Sequence, residues 1–97
     1  MQRITNKMLE AKIAYLNKIT NNPVSSYSLD EGGKYKANVG NYHLSQAYGG
    51  VCVHQMANEG GGVRTPIVHS HVKKRELFDK LCAFIDGIEY GKKLTNN

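Results

Sequence analysis

Residues 38–62 hold six of the chain's ten glycines, interleaved with tyrosine, histidine and carboxamide side chains. Glycine at that density costs stability through chain entropy. Two needs justify the cost: tight turns, or close approach of the backbone to a bound molecule. The second need points to a small polar ligand gripped by loops.

On both sides of this stretch the pattern is helical. From Asn6 to Ile19, Leu9, Ile13, Leu16 and Ile19 recur at spacings of three and four, with Met8 and Tyr15 beside the stripe. Lys7, Glu10, Lys12, Asn17 and Lys18 are assigned to the solvent face, and Asn6 to the N-cap. Asn21-Asn22-Pro23 ends the helix, because the residue before a proline is pushed out of the helical region. A second helix begins near residues 72–74. Its apolar stripe is Leu77, Leu81, Phe84, Ile85 and Ile88, with Phe78 alongside. Gly91 is its expected terminator, and residues 92–97 read as a polar, frayed tail.

Between the helices the chain reads as short strands. Ser26-Tyr27-Ser28-Leu29 leads into the turn Asp30-Glu31-Gly32-Gly33. Residues 34–39 then alternate, setting Tyr35, Ala37 and Val39 on one face. Gly40-Asn41 is a two-residue hairpin signal that would return Tyr42-His43-Leu44-Ser45 antiparallel to residues 34–39. A bend at Tyr48-Gly49-Gly50 precedes another strand over residues 51–56, and residues 57–71 read as a loop. The expected fold is a single α+β domain over residues 1–97, a small antiparallel β-hairpin sheet packed between an N-terminal and a C-terminal α-helix.

A chain of 97 residues buries roughly 60–65% of the surface its unfolded form exposes, so its core is thin and oligomerisation is a natural supplement. The net charge of +5 suits an anionic partner, whether nucleotide, nucleic acid or phosphate, although part of it belongs to lysines on solvent faces of the helices. Cys52 and Cys82 are too few for a disulfide framework and sit among apolar neighbours, as two buried thiols of a reducing compartment would. No signal peptide is legible, and no apolar run approaches the roughly 18 residues of a membrane span. The expected location is cytoplasmic.

Four features carry potential chemistry. Tyr48 beside Gly49 and Gly50 joins an aromatic face to backbone that a ligand can approach closely; the alternative is a core tyrosine at a strand bend. Asn58 offers donors and an acceptor suited to ribose hydroxyls or a base edge, or else simple turn chemistry. The glycines that follow, Gly61 and Gly62 among them, form no P-loop, yet their N–H groups can face an anion. Lys73-Lys74-Arg75 sets three cations at a helix start, where they oppose the macrodipole and a phosphate would offset the clash. Arg75 is the choice for a diphosphate, since its planar fork binds two oxygens at once. The close pairs Cys52/His54 and His69/His71 lack the spacing of a structural zinc site. Neither a legible catalytic constellation nor a cofactor motif accompanies them, so the expectation is a protein that is not an enzyme.

Met8-Leu9-Glu10-Ala11-Lys12, Gly40-Asn41-Tyr42-His43-Leu44, Tyr48-Gly49-Gly50-Val51, Asn58-Glu59-Gly60-Gly61-Gly62 and Lys74-Arg75-Glu76-Leu77 together resemble a family of small bacteriophage proteins, the first-named Thoeris anti-defence sponges. The resemblance spans most of the chain. It implies sequestration, without cleavage, of the cyclic ADP-ribose isomers that bacterial TIR enzymes make from NAD, in the host cytoplasm. It further implies strands sandwiched between two helices, assembly as a homodimer or a larger oligomer such as a hexamer, and uptake of cyclic oligonucleotides by some members at separate sites. The family's aromatic, asparagine and arginine pocket residues match Tyr48, Asn58 and Arg75 in type and order. The family's aromatic residue is phenylalanine, so the Tyr48 hydroxyl is a departure that bears on selectivity.

Two rival classes remain. A small phage nucleic-acid-binding protein would explain the charge, but the basic residues form no long stripe interleaved with aromatics. A structural virion or adaptor protein would bind no small molecule.

Overall fold

The computed structural model describes residues 3–95. The elements run α1 (Asn6–Ile19), β1 (Tyr27–Leu29), β2 (Tyr35–Ala37), β3 (Tyr42–Ala47), β4 (Gly50–Met56), β5 (Val63–Arg64) and α2 (Lys74–Thr95). The class is α+β as the sequence predicts, with an N-terminal and a C-terminal helix flanking small antiparallel sheets.

α1 has the predicted bounds but not the predicted cap. Thr5 in extended conformation is the N-cap, its hydroxyl accepting from Met8 N–H. Asn6 lies inside the helix and donates instead to Gln46 Oε1 at 2.9 Å. The helix stops by geometry as much as by Pro23. Asn21 adopts φ 61°, and the Asn21 and Asn22 N–H groups return to the carbonyls of Lys18 and Asn17. This pair of bonds is a Schellman closure with asparagine at the left-handed position.

Asn17 is a second correction. It is only 2% exposed, and its carboxamide accepts from Tyr42 N–H at 2.8 Å and donates to Tyr42 C=O at 2.9 Å. A side chain assigned to solvent is in fact the partner of the first residue of β3.

The strand pairing also differs from expectation. β1 pairs β2, with Leu29 opposite Tyr35 across the Asp30–Gly33 turn. Asp30 fixes that turn, accepting Lys34 N–H on its side chain and Gly33 N–H on its carbonyl. β2 and β3 do not pair. Gly40, at φ 94°, turns the chain, but its N–H goes to Met56 C=O, and a side chain there would overlap Asn22. Ala37 is buried while Tyr35 and Val39 are exposed, so the expected shared face is not a core face.

β3 pairs β4 from Tyr42↔Gln55 to Ala47↔Gly50, and β5, inside the expected 57–71 loop, pairs the end of β4. Register partners share a face, so Tyr42, Leu44, Val51 and Val53 lie on one side of the ribbon and His43, Ser45, Cys52 and His54 on the other. Both helices pack on the Tyr42 side and touch each other. The Phe84 ring meets Tyr42 edge-on, and Tyr15 donates to Glu89 at 2.6 Å. Leu9, Leu16, Leu77 and Leu81 are completely buried between them. The opposite side is covered by residues 65–72, where Cys52 Sγ donates to Val68 C=O. Cys52 is buried as expected, but Cys82 is only half-buried.

α2 runs through Gly91 to Thr95, because neither Gly87 nor Gly91 takes the positive φ of a C-terminal cap. Each glycine costs the helix about 1 kcal/mol relative to alanine. Lys92 lies within α2, its ammonium donating to the Ile19 carbonyl. The rest of the expected tail, residues 96–97, lies outside the described residues. Among the described residues no helix is long and apolar enough to cross a membrane.

Candidate functional site

The tip of the β3–β4 ribbon is a two-residue turn. Tyr48 and Gly49 both have positive φ, 53° and 73°, which matches the right-handed twist of the strands they join. A non-glycine residue there is uncommon. The turn directs the Tyr48 side chain outward: it is 97% exposed, which excludes a core tyrosine. Its ring stands edge-on to His71 at 5.7 Å.

Gly50 answers the close-approach requirement with the chain's own backbone. A Cβ at Gly50 would lie 2.9 Å from Val72 C=O and 3.0 Å from His71 C and Val72 N. Val72 needs that proximity to exchange both backbone hydrogen bonds with Val51. The same contact brings the start of α2 to the ribbon tip. Gln46, Ala47, Gly49, Gly50, Val51 and Lys74 line a cleft of about 440 Å³ there. Arg75, exposed, follows Lys74 on the first turn of α2.

Asn58, Gly61 and Gly62 lie beyond the opposite end of β4. That seven-residue strand sets them about 20 Å from the tip at roughly 3.3 Å per residue. Asn58 Oδ1 accepts from Gly60 and Gly62 N–H, both at 3.0 Å, and Gly61 takes φ 94° to allow it. The carboxamide oxygen therefore organises the glycine loop and occupies two N–H groups that an anion would otherwise meet. The structure brings Tyr48, Gly49, Gly50 and the start of α2 together and sets Asn58, Gly61 and Gly62 apart.

Between the two ends, on the side away from the helices, runs an aromatic ladder the sequence reading did not anticipate. His43 and His54 are cross-strand partners with ring centroids 5.7 Å apart, and His54 is 6.0 Å from His71. His71 Nε2 lies 3.0 Å from Ser45 Oγ, and His71 in turn meets Tyr48. The sequence carried a partial signal: His43, Ser45 and His54 share one face once the Tyr48-Gly49 turn fixes the register. Among the described residues no three His, Cys, Asp or Glu side chains are placed to hold a metal ion.

His43 and His54 disfavour charge. Burial first, then the proximity of His54, holds His43 below the usual histidine value; burial first, then His71, does the same for His54. A histidine with a lowered folded value takes its proton in the unfolded state first. Its contribution is intact above about pH 6.5 and is lost as pH falls below it. Urea midpoints measured from pH 7.5 down to pH 5 should therefore decline, and the decline should be shallower in His54→Gln. Equal slopes for the two proteins would remove the ladder as the cause.

Comparison of the chain with protein families, with curated proteins and with solved structures finds no match.

Proposed function

We propose that this protein is a phage anti-defence sponge that binds a TIR-made cyclic ADP-ribose isomer in the host cytoplasm and holds it without cleaving it. The observation that carries the reading is the ribbon tip, where the fully exposed Tyr48 leads into a cleft lined by Gly49, Gly50 and Lys74. An aromatic face suits a purine, bare backbone suits a close sugar or phosphate, and cations at a helix start suit a diphosphate. The sequence resemblance to the Thoeris anti-defence sponges supports the same ligand. In this reading the Asn58 loop, about 20 Å away along β4, reaches the same ligand only from a second copy, so the functional unit is a homodimer or a larger even assembly such as a hexamer. Cyclic oligonucleotides are a further ligand class.

Incubation of the protein with glycocyclic ADP-ribose, followed by heat denaturation, should release the molecule intact. Recovery of hydrolysed product would identify an enzyme instead. Tyr48→Ala, Arg75→Ala and Asn58→Ala should each weaken binding by at least about tenfold, the arginine through loss of a charge-assisted contact of about 1.5–3 kcal/mol. Three folded variants that bind as tightly as the parent would remove the site.

The basic start of α2 and the net charge of +5 also favour a second reading, a nucleic-acid-binding module. Titration against single-stranded and duplex DNA at two salt concentrations separates the two. Tight binding with a steep salt slope supports the module, and weak binding beside strong cyclic-nucleotide binding removes it.

A further inference from the structure

Both helices begin beside the ribbon-tip cleft. Lys74, the first residue of α2, lines it, and Asn6, the first residue of α1, reaches it through Gln46. Asn6 Nδ2 donates to Gln46 Oε1 at 2.9 Å, and Gln46 lines the cleft from β3. That bond decides which end of the Gln46 carboxamide is left over. Its oxygen is held by α1, and its –NH2 group has no partner among the described residues. The Asn6 oxygen is itself buried without a partner among the described residues. Turning both carboxamides over would keep the bond, but it would bury an –NH2 with two orphaned donors in place of one orphaned acceptor. Buried donors go unpaired more rarely than buried acceptors, so the orientation is fixed with the Gln46 –NH2 left to the cleft.

The side chains of the cleft then present donors alone. Gln46 and Lys74 are the polar side chains of its lining, one amide –NH2 and one ammonium, with no carboxylate or hydroxyl beside them. A ribose hydroxyl both gives and takes a hydrogen bond and would use half of its capacity here. An oxyanion only accepts, and it matches both groups with charge-assisted bonds. We infer that Gln46 is a specificity-determining residue of this cleft, its amide donating to an anionic oxygen of the ligand's diphosphate, and that Asn6 is the residue that positions it. This role rests on the cleft being the ligand site, and it names the part of the ligand that lies there. It separates a diphosphate-bearing ligand from the same nucleoside without phosphates, which offers neither donor an anionic partner.

Calorimetric titration of the full chain with glycocyclic ADP-ribose, and separately with inorganic pyrophosphate, tests the assignment. Gln46→Glu keeps an acceptor for Asn6 but turns a carboxylate oxygen toward the cleft, so it should weaken both ligands at least about tenfold. Lys18→Gln removes the same unit of charge in the last turn of α1 and should bind as the parent does. Asn6→Ala frees the Gln46 carboxamide to rotate and should weaken binding about threefold or more. In a Gln46→Ala background it should have no further effect, whereas a role in the helix start alone would give the same loss in both backgrounds. A parent that binds pyrophosphate but not glycocyclic ADP-ribose supports the role of Gln46 and removes the proposed ligand. A parent that binds neither removes both. Where the parent binds, a Gln46→Glu protein that binds as tightly overturns the assignment and leaves the proposed ligand standing. So does an Asn6→Ala loss that is undiminished in the Gln46→Ala background.

Discussion

Asn17→Leu should lower the stability of the fold by about 2–5 kcal/mol, a large fraction of the roughly 5–15 kcal/mol available to a small domain. The side chain is buried, and both ends of its carboxamide are committed to Tyr42, at 2.8 Å and 2.9 Å. β3 is the edge of its sheet, so Tyr42 has no neighbouring strand on that side, and Asn17 stands in for one. Leucine is apolar and of similar length, and it leaves one N–H and one C=O buried without partners at about 1–3 kcal/mol each. Asn17→Asp separates the two bonds: it keeps the acceptor for Tyr42 N–H but turns a carboxylate against Tyr42 C=O, so it should also destabilise. A change at the exposed neighbour Lys18 should stay within about 0.5 kcal/mol. Urea unfolding followed by far-ultraviolet circular dichroism gives all three values. An Asn17→Leu midpoint equal to that of the parent would show that the Tyr42 groups find water, and that the edge of β3 is open.

Helix positions were legible because spacing is a one-dimensional signal: the stripes at Leu9, Ile13 and Leu16 and at Leu77, Leu81 and Ile85 are the buried ones. Asn17 was legible by the same rule and was misassigned by polarity. It stands four after Ile13, within the stripe, and helical geometry puts it inward whatever its chemistry. Strand pairing was less legible because three glycine-containing turns competed for it. Asp30 closes its turn with a side chain, and Tyr48-Gly49 closes another with two positive φ values, whereas Gly40 spends its N–H on Met56 and redirects the chain. The Gly91 stop failed because a glycine signals a cap only when the chain takes positive φ there. At the candidate site, Tyr48, Gly49, Gly50 and the basic helix start were legible as types and did come together. The separation from Asn58 depends on the length of β4, and the histidine ladder on register. Neither is stated by any local motif.

Gly50→Ala should be a strongly damaging single-methyl change, and its damage should begin locally. The added Cβ meets three backbone atoms of His71 and Val72 at 2.9–3.0 Å, and backbone cannot rotate away as a side-chain tip can. Relief requires residues 71–72 to move off the ribbon, which breaks the Val51 N–H to Val72 C=O bond of 2.8 Å and its reciprocal of 2.9 Å. Overpacking of this kind costs about 1–3 kcal/mol, and each lost backbone bond adds about 0.5–1.5 kcal/mol. The displaced segment also carries His71, which spaces Tyr48 from His54, and it leads into the α2 start that borders the cleft. One methyl group should therefore reduce stability by about 2–6 kcal/mol and uncouple the ribbon tip from the helix start. Amide exchange reads the two effects apart. Val51 and Val72 should lose protection in Gly50→Ala even where Leu81 in the core of α2 keeps most of its own. Gly49→Ala is the matched control: no atom stands near its absent Cβ, so its cost comes only from the positive φ of 73° and should leave the Val51–Val72 pair intact. If Gly50→Ala exchanges at Val51 and Val72 as slowly as the parent, the close approach of residues 71–72 is not what that glycine is for. The cleft beside Tyr48 would then need another wall.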